Sequence, residues 1–380
     1  MAYDFRLQTY DFRLNMRYVS VNYNYSADYT TPESWFKRTE GYAGILECLS
    51  RNNEVINIKQ INFEGNRLNN GVDYRFQNFG QKNTLFPFKQ NSYIKKLKPD
   101  VVIIQGFHKP LQLIQLCLLL RKKTKVIVHH HAEKPFTGWK KYIQKAADRF
   151  VDGYLFASHQ MGMEWVKKGI IASPKKIHEV MEVSSRFNSI KREAAKLKTG
   201  ISRNMLFLWV GRLNDNKDPL TVVKAFMQYA DINLDARLYM IYHTDELLGA
   251  IKQLLKYANA ENRVILIGKV DHDELPHWYN SADFFISGSH YEGSGTALCE
   301  AMSCGCVPIV TDIPSFRMIT DNGDCGLLYE PGNEKALVSA LMQTKSLDLH
   351  SKQTKALAYF KSNLSFEAIA QKIQAVAESL

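Results

Sequence analysis

Between Leu266 and Glu300 the chain runs LIGKVDHDELPHWYNSADFFISGSHYEGSGTALCE. Asp283, Phe284, Phe285, Ile286 and Ser287 read as an apolar strand. Gly288, Gly293 and Gly295 break it, and Ala297-Leu298-Cys299-Glu300-Ala301-Met302 starts a helix. A buried strand that turns through glycines into a helix is half of a β-α unit, which commits this part of the chain to a parallel sheet with helices on its faces. Such a turn leaves backbone N–H groups unsatisfied at the positive end of the helix, a ready seat for a phosphate or diphosphate. Glu292 precedes the last two glycines and Glu300 lies about a turn into the helix. An anion seat bracketed by two acids suits a ligand that is half phosphate and half polyol, as a nucleotide-sugar is.

The same alternation recurs along the chain. In the first half, strands are expected at Tyr18–Tyr23, Glu54–Gln60, Val101–Gln105, Lys125–His129 and Val151–Ala157, with helices at Glu33–Ser50 and Leu111–Lys122. The Asn-rich stretch 62–83 reads as loop with short strands. Asn188–Gly200, NSIKREAAKLKTG, reads as a charged linker. Beyond it the pattern restarts: strand Met205–Val210, helix Leu220–Ala230, strand Ala236–Tyr242, helix Asp245–Ala258, strand Val264–Gly268, the motif above, strand Val307–Val310 and a helical segment Phe360–Leu380. The fold class is therefore α/β with doubly wound parallel sheets, and 380 residues suffice for two domains of ordinary size.

Charge is unevenly spread. Residues 1–199 hold 33 Lys and Arg against 17 Asp and Glu, a surplus of +16, whereas 200–380 hold 16 against 21, or −5. The basic half would be drawn to an anionic surface at ~1 kcal/mol per well-placed Lys or Arg. Nucleic acid is the competing partner, but no aromatic-and-basic interleaving or binding motif supports it. The longest apolar run, around Leu111–Leu120, is interrupted by Gln112 and Gln115 and ends in Arg121-Lys122-Lys123, too short to span a bilayer. The N-terminus is polar, lacks a signal-peptide core and repeats Tyr-Asp-Phe-Arg-Leu at 3–7 and 10–14. Cysteines stand at 48, 117, 299, 304, 306 and 325. Those at 48, 117, 299 and 304 fall in apolar helical stretches and read as buried reduced thiols, and Cys304-Gly-Cys306 lacks the second pair of a zinc site. A cytoplasmic protein is expected, with peripheral association at the inner face of a membrane as an option.

Glu292 and Glu300 are separated by seven residues in the frame E-G-S-G-T-A-L-C-E-A-M-S-C-G-C-V-P-I-V, with a strand before and Gly305, Pro308 and a new strand after. That frame resembles the donor-site signature of the retaining GT-B glycosyltransferases of family 4, the glycosyl transferases of group 1. The resemblance implies a GT-B architecture: two Rossmann-like domains facing across a cleft, with the C-terminal helix crossing back to the first. Residues 15–190 with helix 364–380 would form the acceptor domain, and 200–360 the donor domain. It implies a hexosyltransferase-type enzyme needing no metal and no cofactor, the nucleotide-sugar being a substrate and the acceptor a glycan or a lipid-linked one.

The family's site residues map onto this sequence as follows. Arg212 and Lys217, in Val210-Gly211-Arg212-Leu213-Asn214-Asp215-Asn216-Lys217, would clamp the donor diphosphate, two fixed cations offsetting the charge that grows on the departing group. Glu300 would hold the ribose diol and Glu292 the sugar hydroxyls near the anomeric carbon. Gly293, Ser294, Gly295, Thr296 and Ala297 would supply hydrogen-bond donors to the distal phosphate or sugar, and Lys269 and Val270 would pack the base. His129-His130-His131 ends a strand at the carboxyl edge of the first sheet. Neighbours on a strand point to opposite faces, so the triplet cannot easily chelate one ion. The family has a single His here. His130 fits best, with His129 and His131 as alternates. Asp271-His272-Asp273 resembles the metal pair of another glycosyltransferase fold, but Asp271 with Glu274 reads as a helix capping pattern instead.

Three segments depart from the family pattern. Ser26–Glu33 replaces a Gly-Gly loop. Met181-Glu182-Val183-Ser184-Ser185-Arg186-Phe187 replaces Pro-Asn-Gly-Val-Asp. Tyr242-His243-Thr244-Asp245 replaces a Gly-rich turn. Two other readings stay open: a synthase or phosphorylase using another activated sugar, and a binding subunit that keeps the fold without the reaction.

Overall fold

The computed structural model describes residues 16–79, 86–202 and 205–380. The Tyr-Asp-Phe-Arg-Leu repeat and residues 80–83 of the Asn-rich stretch lie outside them. The first sheet contains β1 (Arg17–Ser26), β2 (Glu54–Ile61), β3 (Gly65–Asn69), β4 (Val72–Gln77), β5 (Val101–Gln105), β6 (Lys125–His129), β7 (Gly153–Phe156) and β8 (Ile177–Glu179), in the order 3-4-2-1-5-6-7-8. β1 pairs in parallel with β2 and β5, β2 with β4, and β5 with β6. β3 and β4 form an antiparallel hairpin. Its turn is Asn70-Gly71, both at positive φ (48° and 83°), the pairing that two-residue hairpins favour. The short strands expected in the Asn-rich stretch are this hairpin.

The second sheet contains β9 (Met205–Gly211), β10 (Ala236–Tyr242), β11 (Val264–Gly268), β12 (Phe284–Ser287), β13 (Val307–Thr311) and β14 (Leu327–Tyr329), in the order 11-10-9-12-13-14. Its pairings are parallel throughout. Apolar residues on β9 and β12 face helix Pro219–Ile232, giving a core around Phe207, Trp209, Phe226, Tyr229 and Phe284. Phe207 and Phe284 stack at 4.9 Å across adjacent strands. The chain leaves β9 in one direction to build β10 and β11, then returns to its other side with β12. In such sheets ligands bind beyond the carboxyl ends of the strands where the order reverses. Here that point lies between β9 and β12.

The chain divides into two compact units. One holds the described residues up to His129 with Pro135–Tyr154 and Gln374–Leu380, and the other holds His130–Lys134 and Leu155–Ile373. The final helix, Phe366–Ser379, ends in the first unit: Lys125 Nζ donates to the Ala377 carbonyl at 2.6 Å, and the side-chain amides of Asn53 and Gln374 meet at 3.3 Å. The expected linker 188–200 is a correction. Arg192–Thr199 forms a helix that stops on Gly200 in the left-handed region (φ 71°) and packs against helix Leu275–Ser281. Only Ala195 is buried on it, so its apolar stripe is too thin to read as a helix. Arg192 instead anchors it by an ion pair to the buried Asp283, whose other oxygen accepts the Leu206 N–H at 2.9 Å. A second correction concerns Asp271: its side chain caps nothing, and a 3-10 turn, His272–Glu274, leads into the helix at Leu275.

Candidate functional site

The second unit contains a cavity of about 520 Å³ at the carboxyl ends of β9 and β12. Of the twelve residues singled out by sequence, eleven line it: Arg212, Lys217, Lys269, Val270, Glu292, Gly293, Ser294, Gly295, Thr296, Ala297 and Glu300. The twelfth, His130, does not.

Beyond β9 a 3-10 turn, Asp215–Lys217, is fixed by Asn214, whose side-chain oxygen accepts the Lys217 N–H at 3.1 Å. Asp218 follows at φ 41°, and its carboxylate accepts from Thr221 N–H at 3.3 Å, opening helix Pro219–Ile232. This turn is stapled to the chain leaving β12. His290 N–H donates to the Asn216 carbonyl (2.8 Å), and the Asn216 amide donates to the Tyr291 carbonyl (3.0 Å). A Cβ on Gly288 would lie 2.9 Å from the Asp218 carbonyl oxygen and 3.1 Å from that of Lys217, so the two segments approach as closely as glycine allows. The result is an ion pair between Lys217 Nζ and Glu292 Oε1. Arg212 is exposed at the same end of β9 and, among the described residues, has no carboxylate partner.

Helix Thr296–Ser303 begins on Gly295, which is left-handed (φ 57°, ψ 54°) and offers no side chain as a cap. The first N–H groups of the helix therefore face the cavity end without an intrahelical acceptor. On the following turn Glu300, 8% exposed, accepts the Tyr279 hydroxyl at 2.9 Å, and its other oxygen lies 3.3 Å from His272 Nε2. Burial and the adjacent carboxylate push the Tyr279 hydroxyl pKa well up, so it stays a donor. Cys299, on the same helix, is fully buried, and its thiol is pushed up to about 12, which makes it inert as a nucleophile.

His131, not His130, lines the cavity. His130 is 3% exposed, with its ring 4.3 Å from that of Phe156. Its Nδ1 accepts the Ala132 N–H at 3.1 Å, so its Nε2 donates to the Glu133 carbonyl at 2.9 Å. Burial lowers its pKa and favours that neutral, doubly bonded ring. β6 ends at His129, but His130 N–H still bonds to the Leu155 carbonyl on β7, so His131 is the first of the triplet to turn away from the neighbouring strand. The His131 ring meets Glu182, a buried carboxylate in the segment that departs from the family pattern. Glu182, His272 and Tyr279 were not singled out by sequence. For Glu182 the available signal is its place in the segment Met181 to Phe187, which departs from the family pattern.

Residues 191–361 match the family model described as glycosyl transferases group 1. The residues lining the cavity all fall within that range except those of the 130–134 loop and Glu182. Among curated proteins the chain is similar to the lipopolysaccharide core biosynthesis mannosyltransferase LpsB of Rhizobium meliloti. The two are 29% identical over 134 residues, 34% of this chain and 38% of that protein. Matches to curated relatives cover between 24% and 62% of those proteins' lengths. Among solved structures the chain resembles sucrose-phosphate synthase from Thermosynechococcus elongatus, with TM-score 0.70, 16% identity, and coverage of 96% of this chain and 98% of that one. Anabaena HepE in complex with UDP gives TM-score 0.71 and 13% identity over 96% and 100%. The fold is GT-B.

Proposed function

We propose that the protein is a retaining, metal-independent hexosyltransferase. It would move a sugar from a nucleotide-sugar to a glycan or lipid-linked acceptor in cell-surface polysaccharide or glycolipid synthesis. The observation that carries this reading is the convergence in one cavity of two cations, an open helix start and two buried or half-buried acids. The relatives LpsB, a mannosyltransferase by name, and HepE, solved with UDP, are consistent with it. Residues 200–360 act as the donor domain, and 15–190 with 364–380 as the acceptor domain.

The diphosphate sits over the helix start at Gly295–Ala297, with Arg212 and Lys217 on its oxygens. Glu292 exchanges its Lys217 partner for a sugar hydroxyl, Glu300 accepts from the ribose diol, and Lys269 and Val270 flank the base. As the bond from the anomeric carbon to the phosphate oxygen breaks, its electron pair stays on the diphosphate, where the two cations and the helix N–H groups offset the growing charge. The acceptor oxygen bonds to the same face of the oxocarbenium-like carbon, and its proton passes to the departing phosphate.

Glu300 provides the test of the ribose contact. Glu300→Gln should weaken UDP or GDP more than the 2′-deoxy counterpart, measured by calorimetry. Equal weakening of both would make Glu300 a structural partner of Tyr279 and His272 only.

The basic first half is proposed to bring the enzyme to an anionic membrane surface. No helix among the described residues is long and apolar enough to cross a membrane. In the first unit, helices Pro110–Cys117 and Lys140–Ala147 pack together and expose Leu111, Leu118, Trp139 and Tyr142 beside Arg121, Lys122, Lys123, Lys140 and Lys141. Aromatic rings and lysines side by side suit the headgroup region. The protein should co-sediment with vesicles containing phosphatidylserine and not with neutral ones, and lose this as salt shortens the ~8–10 Å screening length. Salt-insensitive binding, or none, would contradict the assignment.

A further inference from the structure

We infer that Glu182 is a positioning residue: it fixes which ring nitrogen of His131 carries the proton and ties that imidazole to the turn ahead of helix Thr296–Ser303. The inference rests on the donor-site reading above and adds to it a residue in the segment that departs from the family pattern.

Glu182 is 7% exposed, and both of its oxygens are engaged by groups at the cavity wall. Oε2 meets His131 Nδ1. Oε1 accepts the Ser294 hydroxyl at 2.5 Å. The loop that carries His131 is pinned from the same side. Tyr291 donates its hydroxyl to the Ala132 carbonyl at 3.1 Å, and a Cβ on Gly293 would stand 2.4 Å from that of Ala132. Burial and the surrounding carboxylates, Glu164, Glu182, Glu133 and Glu292, raise the Tyr291 pKa and keep it a donor. Glu133 holds the loop from within by accepting the His131 N–H at 2.8 Å.

An ionised carboxylate only accepts hydrogen bonds. A buried one against Nδ1 therefore requires a proton on Nδ1, and the neutral ring then carries its lone pair on Nε2. The second partner of an imidazole sets its tautomer in this way wherever a carboxylate backs a functional histidine. With Nδ1 assigned, His131 offers Nε2 to a hydroxyl of the bound donor sugar as an acceptor. A side-chain amide at position 182 could donate to Nδ1 as readily as accept, and so would not fix the tautomer. The Ser294 bond extends the effect, because the same carboxylate sets the spacing between His131 and the turn through Gly295.

The test pairs a spectroscopic arm with a kinetic one. Long-range proton–nitrogen correlation spectra of ¹⁵N-histidine protein, with His131 assigned by its loss in His131→Asn, should show Nδ1 protonated in the neutral ring. In Glu182→Gln the amide can donate to Nδ1 or accept from it, so the neutral ring should no longer be held in the Nδ1-protonated form and should show a proton on Nε2 in a substantial fraction. Release of UDP from UDP-glucose or GDP from GDP-mannose, whichever the wild type supports, should lose at least about tenfold in kcat in Glu182→Gln, with the donor KM changed less than kcat. The double variant should lose no more than His131→Asn alone. This comparison remains informative if Glu182→Gln lowers the melting temperature. An unprotonated Nδ1 in the wild type, wild-type kcat in Glu182→Gln, or additive losses would overturn the inference. A wild-type protein that turns over neither donor would instead overturn the function proposed above, leaving the spectra to decide the role of Glu182.

Discussion

Replacing Lys217 by Ala should lower turnover by about a hundredfold or more, which is about 2.7 kcal/mol of transition-state stabilisation. Lys217 sits on a turn locked by Asn214, Asp218 and the Asn216–Tyr291 contacts, so its ammonium is delivered to the cavity with little freedom left to lose. It is paired with Glu292. A diphosphate carries more charge than one carboxylate, and that charge grows as the sugar leaves, so the cation contributes more in the transition state than in the ground state. The loss should fall mainly on kcat. Removing the ammonium also leaves Glu292 without its partner, so Lys217→Arg, which keeps the charge, should recover part of the activity. Nucleotide release at saturating donor checks the prediction, and unchanged turnover in Lys217→Ala would remove Lys217 from the diphosphate.

Gly295→Val should cost roughly 3 kcal/mol of stability, from about 1–3 kcal/mol of backbone strain and about 1–3 kcal/mol of overpacking. Gly295 has φ 57°, a region that β-branched residues essentially avoid. A Cβ there would also stand 2.8 Å from Phe316 Cε1 and 3.1 Å from Ile319 Cδ1, both deep in the core. Strain and overpacking act at the same atom, and neither is relieved without moving helix Pro314–Ile319 or the start of helix Thr296–Ser303. Urea unfolding followed by circular dichroism gives the shift in midpoint. A midpoint equal to wild type would mean that the turn is not held in this geometry.

The sequence disclosed most where physical periodicity was strong. Strands β5, β6, β10 and β11 run over the residues expected, because short apolar runs bounded by Gly, Pro or charged residues admit few other readings. The cavity was legible for a related reason. A glycine-broken turn between a buried strand and a helix places its acids and its free N–H groups at one strand end, and eleven of the twelve residues named from sequence line the one cavity there. Helix Arg192–Thr199 was hidden because its anchor is an ion pair to Asp283, distant in sequence, and not an apolar stripe. The choice of His131 within its triplet and the part played by Glu182 were hidden because they depend on how a loop leaves β6 and on a contact across fifty residues of chain. Alternation along a strand ceases to apply where the strand ends, which is where His130 turns inward and His131 does not.

The central claim is that the cavity between the ends of β9 and β12 is a nucleotide-sugar site. Calorimetric titration of UDP and of GDP into the chelator-treated protein, beside the variant carrying both Arg212→Ala and Lys217→Ala, tests it most directly. The account predicts saturable one-to-one binding of at least one of the two nucleotides to the wild type without added metal, and its loss in the double variant. No binding of either nucleotide, or equal binding by both proteins, would contradict it.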